Sequence, residues 1–342
     1  MRITLLILIS LIFLSNCSSK KDTEDLSQTR NLNVYVTQNI ISKDIWNSTV
    51  QKFEEDHQCK IKIKSFKNAN TLLEQVIKEK ENPQADVLVG IDNILFAQIF
   101  QDTLFFEYKP TNYTLIDKSK YIDKDFFITP IAYSDIAIIY DKNLVNNPPE
   151  TFGELQDGIW KKKLIILDPR TSSLGNATLI WSVAAFGEYG YGHFWRSIKE
   201  NIFKIVPNWD EAYNMFLAKE APLVIGFSST PIYHIKMDST DIYKANIPKE
   251  GGFTLIEAAG ILKTTSNPEL SKIFIDFLIS DDFQKNIPYT KWVFPVNTNI
   301  KLPSEYYSVQ KPVKYFTNTI SLKTIKKNNK KWIKKWEKLI LK

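Results

Sequence analysis

Apolar positions in the first third of the chain alternate between strand-like and helix-like spacing. Strand-like runs cover residues 32–37, 60–66 and 85–90, and each is followed by a run with helical spacing, the last of them at 94–100. An alternation of strands and helices is typical of parallel β-sheets that are covered by crossover helices. The pattern therefore predicts an α/β fold for this part of the chain.

A second series of the same kind follows the helix-breaking segment Asn147-Pro148-Pro149. Its strands are predicted at 163–167 and 223–227, and its helices at 176–186, 209–217 and 231–236. Because this series has its own strands and helices, it predicts a second α/β lobe with a core of its own.

Two further apolar runs connect the series. Residues 136–140 and 254–262 have the composition of strands, and we expect both to cross between the lobes at a hinge. We predict that lobe 1 comprises 31–138 plus 256–342 and that lobe 2 comprises 139–255. Helices near 268–279 and 281–287 and a C-terminal helix are expected to pack on lobe 1.

The N-terminus opens with a basic residue and an apolar run that ends in Leu14-Ser15-Asn16-Cys17. The run is too short to cross a bilayer, and its flanks are typical of a secretory signal peptide. Leu-Ser-Asn-Cys resembles the bacterial lipobox, in which the cysteine is acylated and becomes the first residue. We therefore predict a signal peptide over 1–16, a lipid on Cys17 and a flexible tether over 17–30, with the domain anchored on the periplasmic or extracellular face of a bacterial membrane.

The formal net charge of +6 originates in the C-terminal tail. Residues 323–342 contain nine lysines and one acidic residue, and the rest of the chain has a slight excess of acidic side chains. We therefore expect no nucleic-acid partner. The tail is predicted to be a helix that caps a lobe, or that contacts anionic lipid, because five apolar side chains share one face: Trp332, Ile333, Trp336, Leu339 and Ile340.

The residues that usually reveal catalysis are sparse. The three histidines, His57, His193 and His234, have no cysteine or carboxylate at metal-ligand spacing. The chain also lacks a Walker loop, G-x-G-x-x-G, G-x-S-x-G and H-E-x-x-H. If Cys17 carries lipid, Cys59 has no disulfide partner, and its strand-like surroundings predict a buried thiol. We expect no enzymatic activity, no resident metal and no cofactor.

Polar side chains stand at the carboxyl ends of the predicted strands, where parallel α/β sheets bind their ligands. They are Thr37, Asn68, Asp92, the pair Ser172-Ser173 and the run 228–230. Most of these turns also begin a helix, whose free N–H groups bind anions such as phosphate. Each turn alone is better explained as a helix N-cap, but together they predict a ligand site between the lobes.

Three aromatic residues lie in turns or beside helix breaks rather than in the middle of helices. Trp209 begins a predicted helix, Tyr233 lies one turn into another, and Trp292 lies between Pro288 and Pro295. Packing in a hydrophobic core accounts for a tryptophan in the middle of a helix, but it accounts less easily for an aromatic residue in a turn. Aromatic rings stack on flat or cationic ligands for roughly 0.5–2 kcal/mol each, which makes these three candidates for ligand contact.

Six segments resemble the thiamine-binding proteins of bacterial ABC importers in residues, order and spacing, over a span from about residue 31 to residue 336. They are Ala85-Asp-Val-Leu-Val-Gly-Ile-Asp-Asn93, Ile139-Tyr-Asp-Lys-Asn143, Asp168-Pro-Arg-Thr-Ser172, Trp209-Asp-Glu-Ala-Tyr213, Ser229-Thr-Pro-Ile-Tyr-His234 and Lys291-Trp-Val-Phe-Pro-Val296. Some of these segments occur throughout the type II periplasmic binding proteins. The contexts of Trp209, Tyr233 and Trp292 narrow the resemblance to thiamine binders.

The resemblance implies a two-lobed type II periplasmic-binding-protein fold, also called a Venus flytrap. It implies that thiamine, thiamine phosphate or thiamine diphosphate is the transported ligand and that ABC importer permease subunits receive it; we expect the protein to be a monomer. By position, Trp209, Tyr233 and Trp292 are expected to hold the aromatic rings of the ligand. Ser172 and Ser173 are expected to meet its phosphate or hydroxyethyl end, and Asp92 is expected to line the same site.

Three positions depart from the pattern of the family. Thr37 replaces a tyrosine after the first strand, and Phe227 replaces a tyrosine before the Ser/Thr turn. Asn68-Ala69 replaces an acidic residue followed by glycine, next to Lys67. Loss of the acidic residue makes this edge less negative, so the departures favour a phosphorylated ligand.

Other ligands and roles are compatible with the same fold. Ferric-ion and polyamine binders need several carboxylates in the site, and here only Asp92 and Asp135 are placed for that purpose. A lipoprotein of the cell surface without a transport role is the third alternative.

Overall fold

This computed structural model describes residues 30–37, 43–99 and 104–342. The predicted signal peptide, Cys17 and the predicted tether up to residue 29 lie outside the described residues. Within the part described, no helix combines the length and the apolar character that a membrane crossing needs.

The described residues form ten strands and ten helices, with several short 3₁₀ turns between them. The strands are β1 (Arg30–Thr37), β2 (Cys59–Phe66), β3 (Val87–Asp92), β4 (Thr129–Asp141), β5 (Leu164–Leu167), β6 (Ile202–Val206), β7 (Leu223–Phe227), β8 (Tyr243–Asn246), β9 (Thr254–Ile261) and β10 (Phe294–Pro295). The helices are α1 (Lys43–His57), α2 (Ala69–Lys78), α3 (Asn93–Ile99), α4 (Ser173–Ile198), α5 (Trp209–Leu217), α6 (Thr230–Met237), α7 (Pro268–Leu278), α8 (Asp281–Gln284), α9 (Ile287–Thr290) and α10 (Leu322–Ile340).

The sheet is mixed, with parallel strands toward both ends and antiparallel strands in the middle. Hydrogen-bonded neighbours follow the order β2-β1-β3-β9-β4-β7-β5-β6, and β8 and β10 each pair with β4. β1 is parallel to β2 and β3, and β5 is parallel to β6 and β7. β9 and β4 run antiparallel to their neighbours on this path. The order confirms an α/β fold in which the returning strand β9 lies beside the first series.

β4 is the strand that passes between the two halves of the sheet. Its first part, from Thr129 to Asp135, pairs with β9, and its second part, from Ile136 onward, pairs with β7. At the changeover the Thr254 hydroxyl donates a hydrogen bond of 2.6 Å to the Asp135 carboxylate. The Ser228 amide donates a bond of 2.8 Å to the Asp135 carbonyl. Asp135 therefore ties the start of β9 and the end of β7 to the crossing point.

Each half of the sheet is covered by its own apolar core. In the first half, Leu32 and Val87 pack with Phe274 of α7. In the second half, Leu164 packs with Trp181 of α4 in a larger cluster. Complete burial of an aliphatic or aromatic side chain contributes about 1.5–3 kcal/mol, so each cluster stabilises its own half of the sheet.

The predicted elements differ from the structure mainly where strands are short. β6 and β8 were not predicted, and β4 begins at Thr129 rather than near residue 136. The predicted helix at 176–186 is the first part of α4, which is interrupted at Gly187, where a φ of +73° favours glycine. Cys59 is buried and free, as its strand-like surroundings predict.

The C-terminal helix α10 is not confined to the first lobe, and the prediction that it packs there is corrected. It lies against both α3 and α4. Trp336 packs edge-on against Trp195, with ring centroids 5.9 Å apart, and the Trp332 indole donates a hydrogen bond of 2.6 Å to Glu188. The apolar face chosen from the sequence is the buried face, because Trp332, Trp336 and Ile340 are all buried.

Candidate functional site

The turn after β5 is fixed by tight backbone packing and by hydrogen bonds to the next turn. Ser172 is the N-cap of α4, and its hydroxyl accepts a hydrogen bond of 3.2 Å from the Gly175 amide. A Cβ atom at Gly175 would lie 2.6 Å from the carbonyl oxygen of Leu167, so only glycine allows α4 to begin this close to β5. The Thr171 hydroxyl donates a hydrogen bond of 2.9 Å to the Pro207 carbonyl, which ties this turn to the one that begins α5.

Asp92 and Ser173, both predicted from strand ends, contact each other across the two lobes. The Asp92 carboxylate caps α3, accepting hydrogen bonds of 2.9 Å from the Ile94 amide and 2.8 Å from the Leu95 amide. Burial raises the pKa of the Asp92 carboxyl, and hydrogen bonds from Ser173 and from those amides oppose the rise. The contact brings the end of β3 and the start of α4 together at one point between the lobes.

Trp209 and Phe227 are brought together over β7. Trp209 begins α5 and stacks on Tyr213, with ring centroids 4.7 Å apart and an interplanar angle of 17°. A Cβ atom at Gly226 would lie 2.8 Å from the indole, so the absence of a side chain there lets Trp209 rest on the backbone of β7. The Phe227 ring centroid is 6.2 Å from that of Trp209. Both rings are half-buried, which leaves part of each accessible.

Tyr233 and Trp292 also contact each other. Their ring centroids are 5.6 Å apart and the rings are nearly perpendicular, at 84°. Tyr233 is exposed, and Trp292 packs at the edge of a small cluster that contains Phe294 and Tyr306. Trp292 has a φ of +55°, a left-handed conformation that is unusual for a large side chain and that concentrates at functional sites.

Tyr213 and His234 join these two pairs, although the sequence did not single them out as site residues. The Tyr213 hydroxyl lies 2.6 Å from Nε2 of His234. The His234 ring lies 5.1 Å from the Tyr233 ring, edge to face. Trp209, Tyr213, His234, Tyr233 and Trp292 thus form one continuous series of ring contacts, here called the aromatic row. Trp209 and Tyr213 are four residues apart on a helix, and this spacing is the sequence signal that could have revealed the contact between their rings.

The predicted residues of the first lobe, Thr37 and Asn68, stand apart from the aromatic row in the contacts that the described residues make. Thr37 ends β1, is buried, and pairs in register with Phe66 of β2. Asn68 caps α2, and its side chain accepts a hydrogen bond of 2.9 Å from the Thr71 amide. Asn68, Asp92 and Ser172 all act as N-caps in the structure, so contact between their side chains and a ligand remains a prediction.

An ion pair that the sequence did not reveal lies between Trp292 and Asp92. Lys291, next to Trp292, pairs with Glu257 of β9, and the Lys291 side chain is only 6% exposed. Glu257 is paired in register with Asp92, and its negative charge contributes to the raised pKa of the Asp92 carboxyl. The pair therefore holds the Trp292 segment against the same strand edge that carries Asp92.

The carboxylates do not gather into a cation site in the part of the chain that the structure describes. No group of three or more His, Cys, Asp or Glu side chains there is close enough to hold a metal ion. Asp135 is engaged by the Thr254 hydroxyl, and the nearby cations of Lys120 and Lys311 oppose the rise in pKa that burial causes. The described residues thus offer aromatic rings and single hydrogen-bonding groups rather than a multi-carboxylate site.

The structure has two α/β halves, the strand β4 that crosses between them, and polar and aromatic side chains at the facing strand ends. These features define the class of the protein as a two-lobed solute-binding fold. The chain belongs to the bacterial extracellular solute-binding protein family, whose family model matches residues 82–315. Proteins of this family are transport components and not enzymes. The chain accordingly serves as the solute-binding component of an ABC importer, located in the periplasm or outside the cell.

Similar proteins are known from several bacteria. A thiamine-binding periplasmic protein of Brucella abortus is 30% identical over 84% of this chain and 84% of its own length. A thiamine-binding periplasmic protein of Escherichia coli is 30% identical over 84% of this chain and 86% of its own length. A solved structure of a periplasmic thiamin binding protein superimposes with a TM-score of 0.83 at 27% identity, covering 92% of this chain and 97% of that one.

Proposed function

We propose that this protein captures thiamine or one of its phosphate esters between its two lobes and delivers it to the permease of an ABC importer. The observation that carries the proposal is the aromatic row, whose ends Trp209 and Trp292 are both among the residues selected from their resemblance to thiamine binders. Relatives named for thiamine binding, at about 30% identity over most of the chain, support the same ligand.

The aromatic row suits a ligand with two flat rings, one of them cationic. The accessible parts of Trp209, Tyr233 and Trp292 would contact the thiazolium and pyrimidine rings, and each stacked contact contributes roughly 0.5–2 kcal/mol. Phe227 extends the apolar surface beside Trp209. We assign these four rings to the ring end of the ligand.

The start of α4 suits the other end of the ligand. α4 is a long helix whose first N–H groups, together with Ser172 and Ser173, lie at the contact between the lobes. Asn68 stands where the resemblance implies an acidic residue, so this position adds no second carboxylate to that of Asp92. We therefore favour thiamine phosphate or thiamine diphosphate over thiamine as the preferred ligand.

The direct test is to identify the ligand and then to titrate it. Mass spectrometry of protein purified under native conditions should reveal thiamine or a phosphate ester retained in the site. Calorimetric titration of the ligand-free protein with thiamine, thiamine phosphate and thiamine diphosphate should give saturable binding that also quenches tryptophan fluorescence. Binding of spermidine or ferric ion in place of all three thiamine compounds would refute the proposal.

Ser172→Ala should distinguish a phosphate contact from a structural cap. We expect the variant to lose about 1.5–3 kcal/mol of binding free energy for a phosphate ester and about 1 kcal/mol or less for thiamine, because hydrogen bonds to charged groups are the stronger ones. Titration of both ligands measures the difference. Ser321→Ala is the matched control, because Ser321 caps α10 in the same way, through a 3.1 Å bond from the Thr324 amide. Equal losses for both ligands would place the phosphate elsewhere.

We further propose that the protein is held at the membrane by lipid on Cys17, after removal of residues 1–16. Acyl chains contribute about 0.8 kcal/mol per buried methylene, so several chains hold a soluble domain at a bilayer. Mass spectrometry should find mature protein that begins at an acylated Cys17, and Cys17→Ala should abolish acylation and signal-peptide removal at this site. Mature wild-type protein with an unmodified Cys17 in the aqueous fraction would contradict the proposal.

A further inference from the structure

His234 lies in the middle of the aromatic row and is its most enclosed member, with only 3% of its surface exposed. Its Nε2 atom is 2.6 Å from the Tyr213 hydroxyl, and its Nδ1 atom is 2.6 Å from the carboxylate of Asp238 at the end of α6. Its ring also packs against Tyr243 of β8, with centroids 4.4 Å apart. The imidazole is therefore held at both nitrogens and on its face.

Both nitrogens of the imidazole have a polar partner. A carboxylate can only accept, so Nδ1 carries a proton that it donates to Asp238. Burial raises the pKa of Tyr213, which keeps its hydroxyl protonated. A phenol hydroxyl can donate to a free Nε2 atom or accept from a protonated one, so the contact between Tyr213 and His234 is a hydrogen bond in either case. The chain from Tyr213 through His234 to Asp238 therefore links α5 to the end of α6.

We propose that His234 is a positioning residue of the ligand site, which fixes the Tyr213 ring through its hydroxyl and thereby fixes Trp209, which stacks on that ring. The same imidazole supports Tyr233, so one side chain positions aromatic groups on both sides of the row. The expected effect of His234 on ligand binding rests on the proposed function. Its effect on the position of Trp209 can be measured in the protein without ligand.

The surroundings of the imidazole leave it little freedom to turn. The groups that face the imidazole are Tyr213 from α5, Tyr243 from β8, and Tyr233 and Asp238 on α6 itself. Asp141, at the end of β4, faces Tyr243 and contributes to the raised pKa of that phenol after the effect of burial.

The first experiment uses the ligand-free protein. The near-ultraviolet circular dichroism spectrum at neutral pH should differ between the wild type and His234→Gln, because the Trp209–Tyr213 stack shifts when the imidazole that supports it is lost. The spectrum of His193→Gln should match that of the wild type, because His193 is exposed and is not part of the row. An unchanged spectrum in folded His234→Gln overturns the proposal.

The second experiment measures the dissociation constant for thiamine. Tyr213→Phe keeps the ring under Trp209 but loses the hydroxyl, so we expect binding on the order of five-fold weaker, as for one lost hydrogen bond. The control is Tyr191→Phe, at a buried tyrosine whose hydroxyl has no hydrogen-bond partner among the described residues, and binding should not change.

The two experiments distinguish failure of the proposed function from failure of the positioning role. If the wild type does not bind thiamine or its esters, the proposed function is wrong, and circular dichroism still decides whether His234 positions Trp209. If the wild type binds thiamine and Tyr213→Phe matches it in affinity, the proposed function stands and the positioning role is wrong.

Discussion

Replacement of Trp336 by alanine is expected to lower the free energy of unfolding by about 3–5 kcal/mol, the usual cost of truncating a large buried aromatic side chain. Trp336 is fully buried and packs edge-on against Trp195, at an interplanar angle of 89°. Its indole nitrogen has no hydrogen-bond partner within the described part of the chain, so the expected loss is one of packing. Because α10 lies against both α3 and α4, its loosening should destabilise both lobes together. Chemical denaturation measures the change.

Lys334→Ala is the matched control for Trp336→Ala. Lys334 lies on the same helix two residues earlier and is exposed, so its truncation should change stability by less than about 0.5 kcal/mol. Similar losses for the two variants would show that α10 contributes through helix formation or charge and not through its buried tryptophan. Retention of a single, unshifted unfolding transition in Trp336→Ala would show that α10 is not integral to the core.

The fold was predictable where a local pattern decides the structure. α5 and β7 have the predicted bounds, because their apolar spacing is clear and polar residues end them. β8 was missed because it has only four residues, too few for their alternation to be distinguished from a turn, and all four are half-buried. The position of α10 was missed for another reason: its apolar face shows that it must pack, but the partner helices α3 and α4 are distant in sequence.

The candidate site was predictable where its residues lie in turns between predicted elements. Trp209, Tyr233 and Trp292 were chosen because they lie beside helix breaks, and the structure connects them through ring contacts. Tyr213 and His234 lie inside helices, where a partly or fully buried ring is ordinary, so only the spacing of Tyr213 from Trp209 could have indicated the first, and no local pattern indicates His234. The Glu257–Lys291 pair depends on a long-range approach of β9 to the Trp292 segment, which no local pattern contains.

Trp292 is the residue at which loss of the side chain should affect binding most. Its ring meets Tyr233 at the exposed end of the aromatic row, and its backbone is held in a left-handed conformation. Alanine at this position retains the unfavourable backbone conformation, whereas glycine adopts it at no steric cost. The two substitutions therefore remove the same ring but differ in their effect on the backbone.

Trp292→Ala and Trp292→Gly should both weaken binding of thiamine by about 1–3 kcal/mol, through lost stacking and lost burial of the ligand. Trp292→Gly should melt at the higher temperature of the two, because it relieves the left-handed backbone. Titration calorimetry and thermal unfolding measure the two effects on the same samples. Tyr289→Ala is the control, since Tyr289 is an exposed aromatic residue of the same segment outside the aromatic row, and it should bind thiamine as the wild type does. If Trp292→Ala is folded and binds thiamine with wild-type affinity, Trp292 is a packing residue and the ligand rings stack elsewhere.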